Sequence, residues 1–391
     1  MSGRVDAVDA AGAGGASAAG AGHASAAGAG LASAAGAGAD VRRAGDHAGP
    51  ANGATTRIPI DTHVHLWDRS VVPQTWIDPD SMAAIDRDFS GADLGAQLRD
   101  IGVTRAVVVQ SDGILIENDH LFDEAERSPE LAGVVGWVDL RAGADGVRVQ
   151  LDALGGIEGS SRLVGIRHPV HIDEDERWLS RDDVAAGLAE LGAHGLAFDL
   201  VIRPWQLEQA ARLAERVPGT QFVLDHLGKP PLSTGELDAW NAGLRQLAAL
   251  PNVAAKISGL TIEDDWADWS EAAVARAIDP ALELFGPSRL MFGSDWPLVR
   301  LTRGGYRGWI DAYRSATASL SDDEQRQIDV STAERVYGLS EGAGIGVGVG
   351  QSAGAGAGVG MGAGASAASV SVGAGTGTGA VPGDDVGRGR E

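Results

Sequence analysis

The chain contains no cysteine. Disulfides, thiolate metal sites and a thiol nucleophile are therefore excluded, and any metal centre must be built from imidazole and carboxylate. Lysine is almost as scarce: Lys229 and Lys256 are the only two, against 29 arginines. No run of about 18 apolar residues occurs, so no membrane span is expected. The first residues lack the apolar stretch of a secretory signal, which makes the cytoplasm the expected compartment. Positive charge is outweighed throughout, with a formal net charge of −23. A surface this acidic repels nucleic acid and anionic membranes, favours solubility and says little else; the partner expected from the rest of the chain is a small-molecule substrate.

Large side chains are missing from both ends. Residues 1–56 and 341–391 hold 31 of the 57 glycines, whereas all ten tryptophans lie between 57 and 340. Within the first segment Gly15 to Gly22 repeats twice with period eight, too short for a solenoid unit. Such segments carry too little apolar surface to offset the entropy of ordering. The expected organisation is a disordered tail over 1–56, a folded unit over 57–340 and a second disordered tail over 341–391. The middle segment has the size of a (β/α)8 barrel.

Eight short apolar, β-branched segments recur within it, at residues 58–66, 105–111, 134–140, 163–170, 197–202, 221–228, 253–259 and 290–297. Near-continuous apolar runs are what a parallel sheet buried on both faces requires. Between them, residues 182–191, 206–217, 237–250 and 271–285 place apolar side chains at helical spacing. Strand and helix alternating in this way predict an α/β fold, a distorted TIM barrel. An open doubly wound sheet is the alternative, but no Gly-x-Gly-x-x-Gly follows the first strand.

Polar residues gather where these strands end, the rim on which β/α barrels carry their chemistry. Asp61-Thr62-His63-Val64-His65 ends the first strand and Gly293-Ser294-Asp295-Trp296-Pro297 the last. Closure of the barrel makes these two strands neighbours. Alternate strand residues share a face, so His63 and His65 point together, with Asp61 on the same line. His226 after the sixth strand adds a third imidazole. Each has an ordinary structural reading, as a capped turn or a packed histidine; their convergence at one mouth favours metal binding or hydrolysis. Arg167 suits a substrate carboxylate or an oxyanion. His168 and His171 follow it with either role open. Lys229 and Lys256 could hold an anion or close an internal salt bridge. Trp67 and Trp76 flank the mouth as aromatic platforms or as packing. No histidine ends the fifth strand and no lysine the fourth, so a binuclear site is not expected.

These motifs resemble the amidohydrolase superfamily, in its amidohydrolase-related branch, and most of all sugar-lactone hydrolases of the L-fuconolactonase and L-rhamnono-lactonase type. The matching stretches are Ile60 to Trp67, Val164 to Pro169, Leu196 to Arg203, Phe222 to Pro230, Asn252 to Leu260, Leu290 to Pro297 and Thr332 to Leu339. The combination of His226-Leu-Gly-Lys229-Pro230 with Gly293-Ser-Asp-Trp-Pro297 is the specific part. The resemblance implies that His63, His65 and His226 polarise a lactone carbonyl while Asp295 takes a proton from water. Beside these, the rim residues Arg167, His168, Lys229, Trp67 and Trp76 are the expected substrate contacts. Some members hold one zinc and others work without metal, so His63, His65, His226 and Asp295 are either the ligands of one divalent metal or a metal-free site. A zinc-dependent decarboxylase and a non-catalytic barrel are the rival readings.

Overall fold

The computed structural model describes residues 60–339, and the two tails expected to be disordered lie outside the described residues. Eight strands run in chain order round one parallel sheet. They are β1 (Ile60–Val64), β2 (Arg105–Val109), β3 (Leu131–Gly136), β4 (Leu163–His168), β5 (Ala197–Leu200), β6 (Phe222–Leu224), β7 (Val253–Ile257) and β8 (Leu290–Phe292). Helices α1 (Gly91–Ile101), α2 (Ile116–Arg127), α3 (Gly143–Leu154), α4 (Asp182–Ala193), α5 (Leu207–Arg216), α6 (Asp238–Ala248) and α7 (Glu271–Phe285) connect successive strands. After β8 come α8 (Gly305–Ala316), α9 (Asp322–Arg326) and α10 (Thr332–Tyr337). This is the TIM-barrel-like fold that the alternation predicts. None of these helices is long and apolar enough to cross a membrane.

Between β1 and the residues past the end of β8 the pairing is a single parallel bridge, Val64 to Trp296, and contacts beyond the strand ends bring the circle together. His65 N donates to the Trp296 carbonyl at 2.6 Å and Asp295 N to the His63 carbonyl at 2.8 Å. Thr62 Oγ1 donates to the Phe292 carbonyl at 2.7 Å. The backbones of the residues singled out in the two motifs are thus the seam itself.

Two cores follow from a sheet buried on both faces. Residues such as Leu94, Phe122, Leu188 and Trp240 fill the layer between strands and helices. Inside the barrel, Ile60, Val107, Val223, Ala254 and Met291 pack on Val336, Tyr337 and Leu339, so α10 and the residues just after it plug the barrel. Burying each such side chain contributes roughly 1.5–3 kcal/mol.

Helix ends obey local rules. Ser90 and Asp93 form a capping box at α1, and Gly102 closes that helix in the left-handed conformation. Ser270 caps α7, which spans the predicted 271–285. Strand ends obey them less well. β3 begins and ends earlier than the apolar run at 134–140 suggests, because Asp139 caps a short helical turn at Leu140–Ala142. β6 stops at Leu224 rather than continuing through 228, and β8 stops at Phe292 rather than 297. Both early stops are where the site is made.

Candidate active site

Asp61 does not join His63 and His65 on one line. The β1–β2 register shifts between Asp61 and Val64. The Asp61 carboxylate instead turns into the seam, where it accepts from Ser294 N at 2.9 Å and from the hydroxyls of Ser294 and Tyr306. Burial pushes its pKa up to about 6, against the pull of these donors. Asp61 therefore holds the loop of Asp295 in place.

His63 and His65 do converge, with Nε2 atoms 3.2 Å apart. The Nδ1 of His65 lies 2.7 Å from the Val109 carbonyl. A carbonyl only accepts, so Nδ1 carries the proton and Nε2 presents a lone pair to the cleft. His63 is oriented from below. Its Nδ1 lies 3.3 Å from Asp225 Oδ1 and 3.1 Å from Lys256 Nζ, and its Nε2 lies 3.3 Å from Arg167 Nη1. Asp225 and Lys256 thus brace the ring from behind. Lys256 is fully buried and also binds Asp199 at 2.6 Å and Asp225 at 3.0 Å. Of the two roles open to it, the salt bridge is the one found.

His226 owes its position to an uncommon backbone. His226, Leu227, Gly228 and Lys229 follow one another at φ 52°, 51°, 73° and 55°. Asp295 has φ 60° and Gln74, at the mouth, 53°. Non-glycine residues in this region cost about 1–3 kcal/mol each and persist only where packing over-determines them. Here the turn swings the imidazole inward, with Nδ1 2.9 Å from Ser258 Oγ. Gly259 completes the cradle: at φ 62°, a Cβ there would stand 2.5 Å from His226 Nδ1 and 3.0 Å from Asp295 Oδ2.

The electrostatics separate acid from base. Burial lowers the pKa of His63 and His65, and that of His226 to about 4. Burial alone would raise Asp295, but the His226, His65 and His63 imidazoles outweigh it and hold the carboxyl well below the usual range. Near neutral pH the floor is therefore one carboxylate among neutral imidazoles. Asp295 Oδ1 is buried and accepts no hydrogen bond, and it faces the lone pair of His65 Nε2 at 3.4 Å. Acceptors that converge without a proton between them fit a cation. Ligand atoms of His63, His226 and Asp295 lie within 4.8 Å of one another, a nitrogen and oxygen set suited to zinc. His65 stands beside that trio.

Above this floor opens a cleft of about 230 Å³, with His65, Arg167, His226, Lys229 and Asp295 in its wall. Trp76, Ser111, Pro169, His171, Ile172 and Leu298 complete it. The cleft does not include Trp67 or His168. Trp67 is buried, donates to the Arg87 carbonyl at 2.7 Å and packs edge-on behind Trp76. His168 stacks on Trp178, with centroids 4.6 Å apart, and holds Asp173 at 2.7 Å. It braces the loop that brings His171 to the cleft. Glu263, paired with Lys229 at 2.6 Å, escapes sequence reading because its loop carries no motif.

The amidohydrolase family model matches residues 60–339, the whole described barrel. The L-fucono-1,5-lactonase of Burkholderia ambifaria is 35% identical over 263 residues, covering 64% of this chain and 85% of that protein. The protein of the same name from Burkholderia multivorans is 34% identical over 294 residues, covering 73% and 97%. A crystal structure of an amidohydrolase from Burkholderia multivorans with bound zinc superposes with a TM-score of 0.66 at 32% identity, covering 72% of this chain and 100% of that one. On the barrel, the seam that joins His63 and His65 to Asp295, and these matches, the chain belongs to the amidohydrolase family.

Proposed function

We propose that the protein hydrolyses the ring ester of a sugar-acid lactone. The observation that carries this reading is Asp295: a buried, ionised carboxylate with one oxygen unpartnered, set among three neutral imidazoles. The similarity to two proteins named L-fucono-1,5-lactonase favours lactones over the substrates of a decarboxylase. The convergence of His63, His65, His226 and Asp295 argues against a non-catalytic barrel.

In this reading Asp295 takes a proton from water as the water oxygen adds to the lactone carbonyl. His226, oriented by Ser258, and Arg167, whose Nε is buried without an acceptor, face the oxyanion. His63 and His65 complete that wall. Collapse of the tetrahedral intermediate breaks the ring C–O bond, and the proton held by Asp295 passes to the departing alkoxide, giving the open hydroxy acid. A divalent metal would be held by His63, His226 and Asp295 and would supply Lewis-acid polarisation and a more acidic water. Trp76 and Lys229 line the approach to the ring.

A pH-indicator assay of the purified protein on γ- and δ-aldonolactones, with a chelator arm, tests the reading. Turnover of at least one lactone is the expected result. Turnover of none, with release of CO₂ from an aromatic acid in added zinc, would replace it by decarboxylation. Loss of rate on chelation and recovery with zinc would assign the metal; an unchanged rate would assign metal-free chemistry.

The acid limb of the pH profile is also specified. Asp295 stays ionised well below the usual carboxylate range, and His226 takes its proton only near pH 4. A group needed in its neutral form loses function as pH falls through its pKa. Accordingly kcat/KM, followed by pH-stat, should stay level from pH 7 to about 5 and fall towards pH 4. A limb centred near 6.5 would mean that the decisive imidazole is not buried as described.

A further inference from the structure

The cations around the cleft already have partners. Arg167 Nη1 lies 3.4 Å from Asp225 Oδ2. Lys229, the one lysine in the cleft wall, lies 2.6 Å from Glu263 Oε1, with both side chains mostly buried. Arg203 reaches the other oxygen of Glu263 at 3.3 Å. The Lys229 backbone closes the left-handed turn that begins at His226. What remains in the wall is hydrogen-bonding capacity without net charge. The ammonium has further protons, Arg167 Nε has no acceptor, and His171 Nδ1 is buried without a partner. Such a wall suits hydroxyl groups. A substrate carboxylate would have to displace Glu263 from Lys229 or stand beside Asp295.

Resting on the lactonase reading, we propose that Glu263 is a specificity-determining residue: by holding Lys229 it sets the cleft for uncharged, hydroxyl-bearing lactones and turns away lactones that carry a free carboxylate. The same pairing favours release of the product, which is itself a carboxylate once the ring has opened.

The test compares a neutral aldono-1,4-lactone with the corresponding aldaro-1,4-lactone, which carries a carboxylate at the far end. Wild type should favour the neutral lactone at least tenfold in kcat/KM. Glu263→Gln leaves Lys229 unneutralised and should shift the ratio at least tenfold towards the acid lactone, mainly through its KM. The open-chain aldonate should also inhibit this variant more tightly. Lys229→Met should move the ratio the opposite way, since Glu263 then faces the cleft without its ammonium, and it serves as the second arm if Glu263→Gln does not fold. A wild-type preference for the acid lactone, or ratios in the variants within twofold of wild type, would overturn the inference while leaving lactone hydrolysis standing. Turnover of neither lactone would overturn the lactonase reading and this inference with it.

Discussion

Replacing Asp295 by Asn should lower kcat on any lactone substrate by about three orders of magnitude, roughly 4 kcal/mol of transition-state stabilisation. The substitution isolates the chemistry. Asn is nearly the same shape and, like Asp, tolerates the left-handed conformation, so φ 60° at this position is no obstacle. Asp295→Ala would add backbone strain to the chemical loss. The amide cannot take a proton from water, and its NH₂ would stand opposite the His65 Nε2 lone pair. A thermal melt within a few degrees of wild type, together with a kcat about a thousandfold below it, is the expected pair of observations. A variant keeping a tenth of the wild-type rate would remove Asp295 from the role of base.

Lys256→Met should have the largest effect on stability. Its ammonium is fully buried against Asp199, Asp225 and His63. Methionine fills similar volume but leaves Asp199 with the Tyr337 hydroxyl and Asp225 with Arg167 as its remaining cation, and removing one charge from such a buried network costs about 3–5 kcal/mol. For a unit of this size that is roughly 10 °C in Tm. The loss should depend on pH. Burial already pushes Asp199 up to about 6 although Lys256 pulls it down, and without the ammonium it rises further. A carboxyl whose folded pKa exceeds its unfolded value contributes stability at low pH that is lost as pH rises through the folded pKa. The variant should therefore lie closest to wild type near pH 5 and furthest from it near pH 8, as denaturant unfolding at the two pH values would show. Equal loss at both would mean that packing, rather than charge, is the role of Lys256.

Much of this was legible in the chain. Parallel strands are buried on both faces, so their apolar runs stand out against amphipathic helices, and α7 was readable to its ends. His63, His65, His226 and Asp295 were identifiable because rim chemistry must follow such runs. The overrun of β6 and the overrun of β8 share one cause. The apolar runs at 221–228 and 290–297 look like longer strands, since Leu227 and Trp296 are as apolar as strand residues. Only packing on Trp240, whose Nε1 donates to the Leu227 carbonyl at 2.7 Å, and on the seam shows that the backbone has already turned. Likewise His168 and His171 have equal claims in sequence. Stacking on Trp178 commits the first to the core and leaves the second at the cleft.

The sequence by itself determined the barrel, the absence of thiol chemistry and the four side chains at its rim, because hydrophobic period and residue type are local properties that survive in one dimension. Only the tertiary structure decided what those side chains are. It places Asp61 at the seam, Asp225 and Lys256 behind His63, and Asp295 buried among three imidazoles. It also pairs Glu263 with Lys229. Each of these depends on burial and on charges brought within a few ångströms from distant parts of the chain, and neither is written in the order of residues.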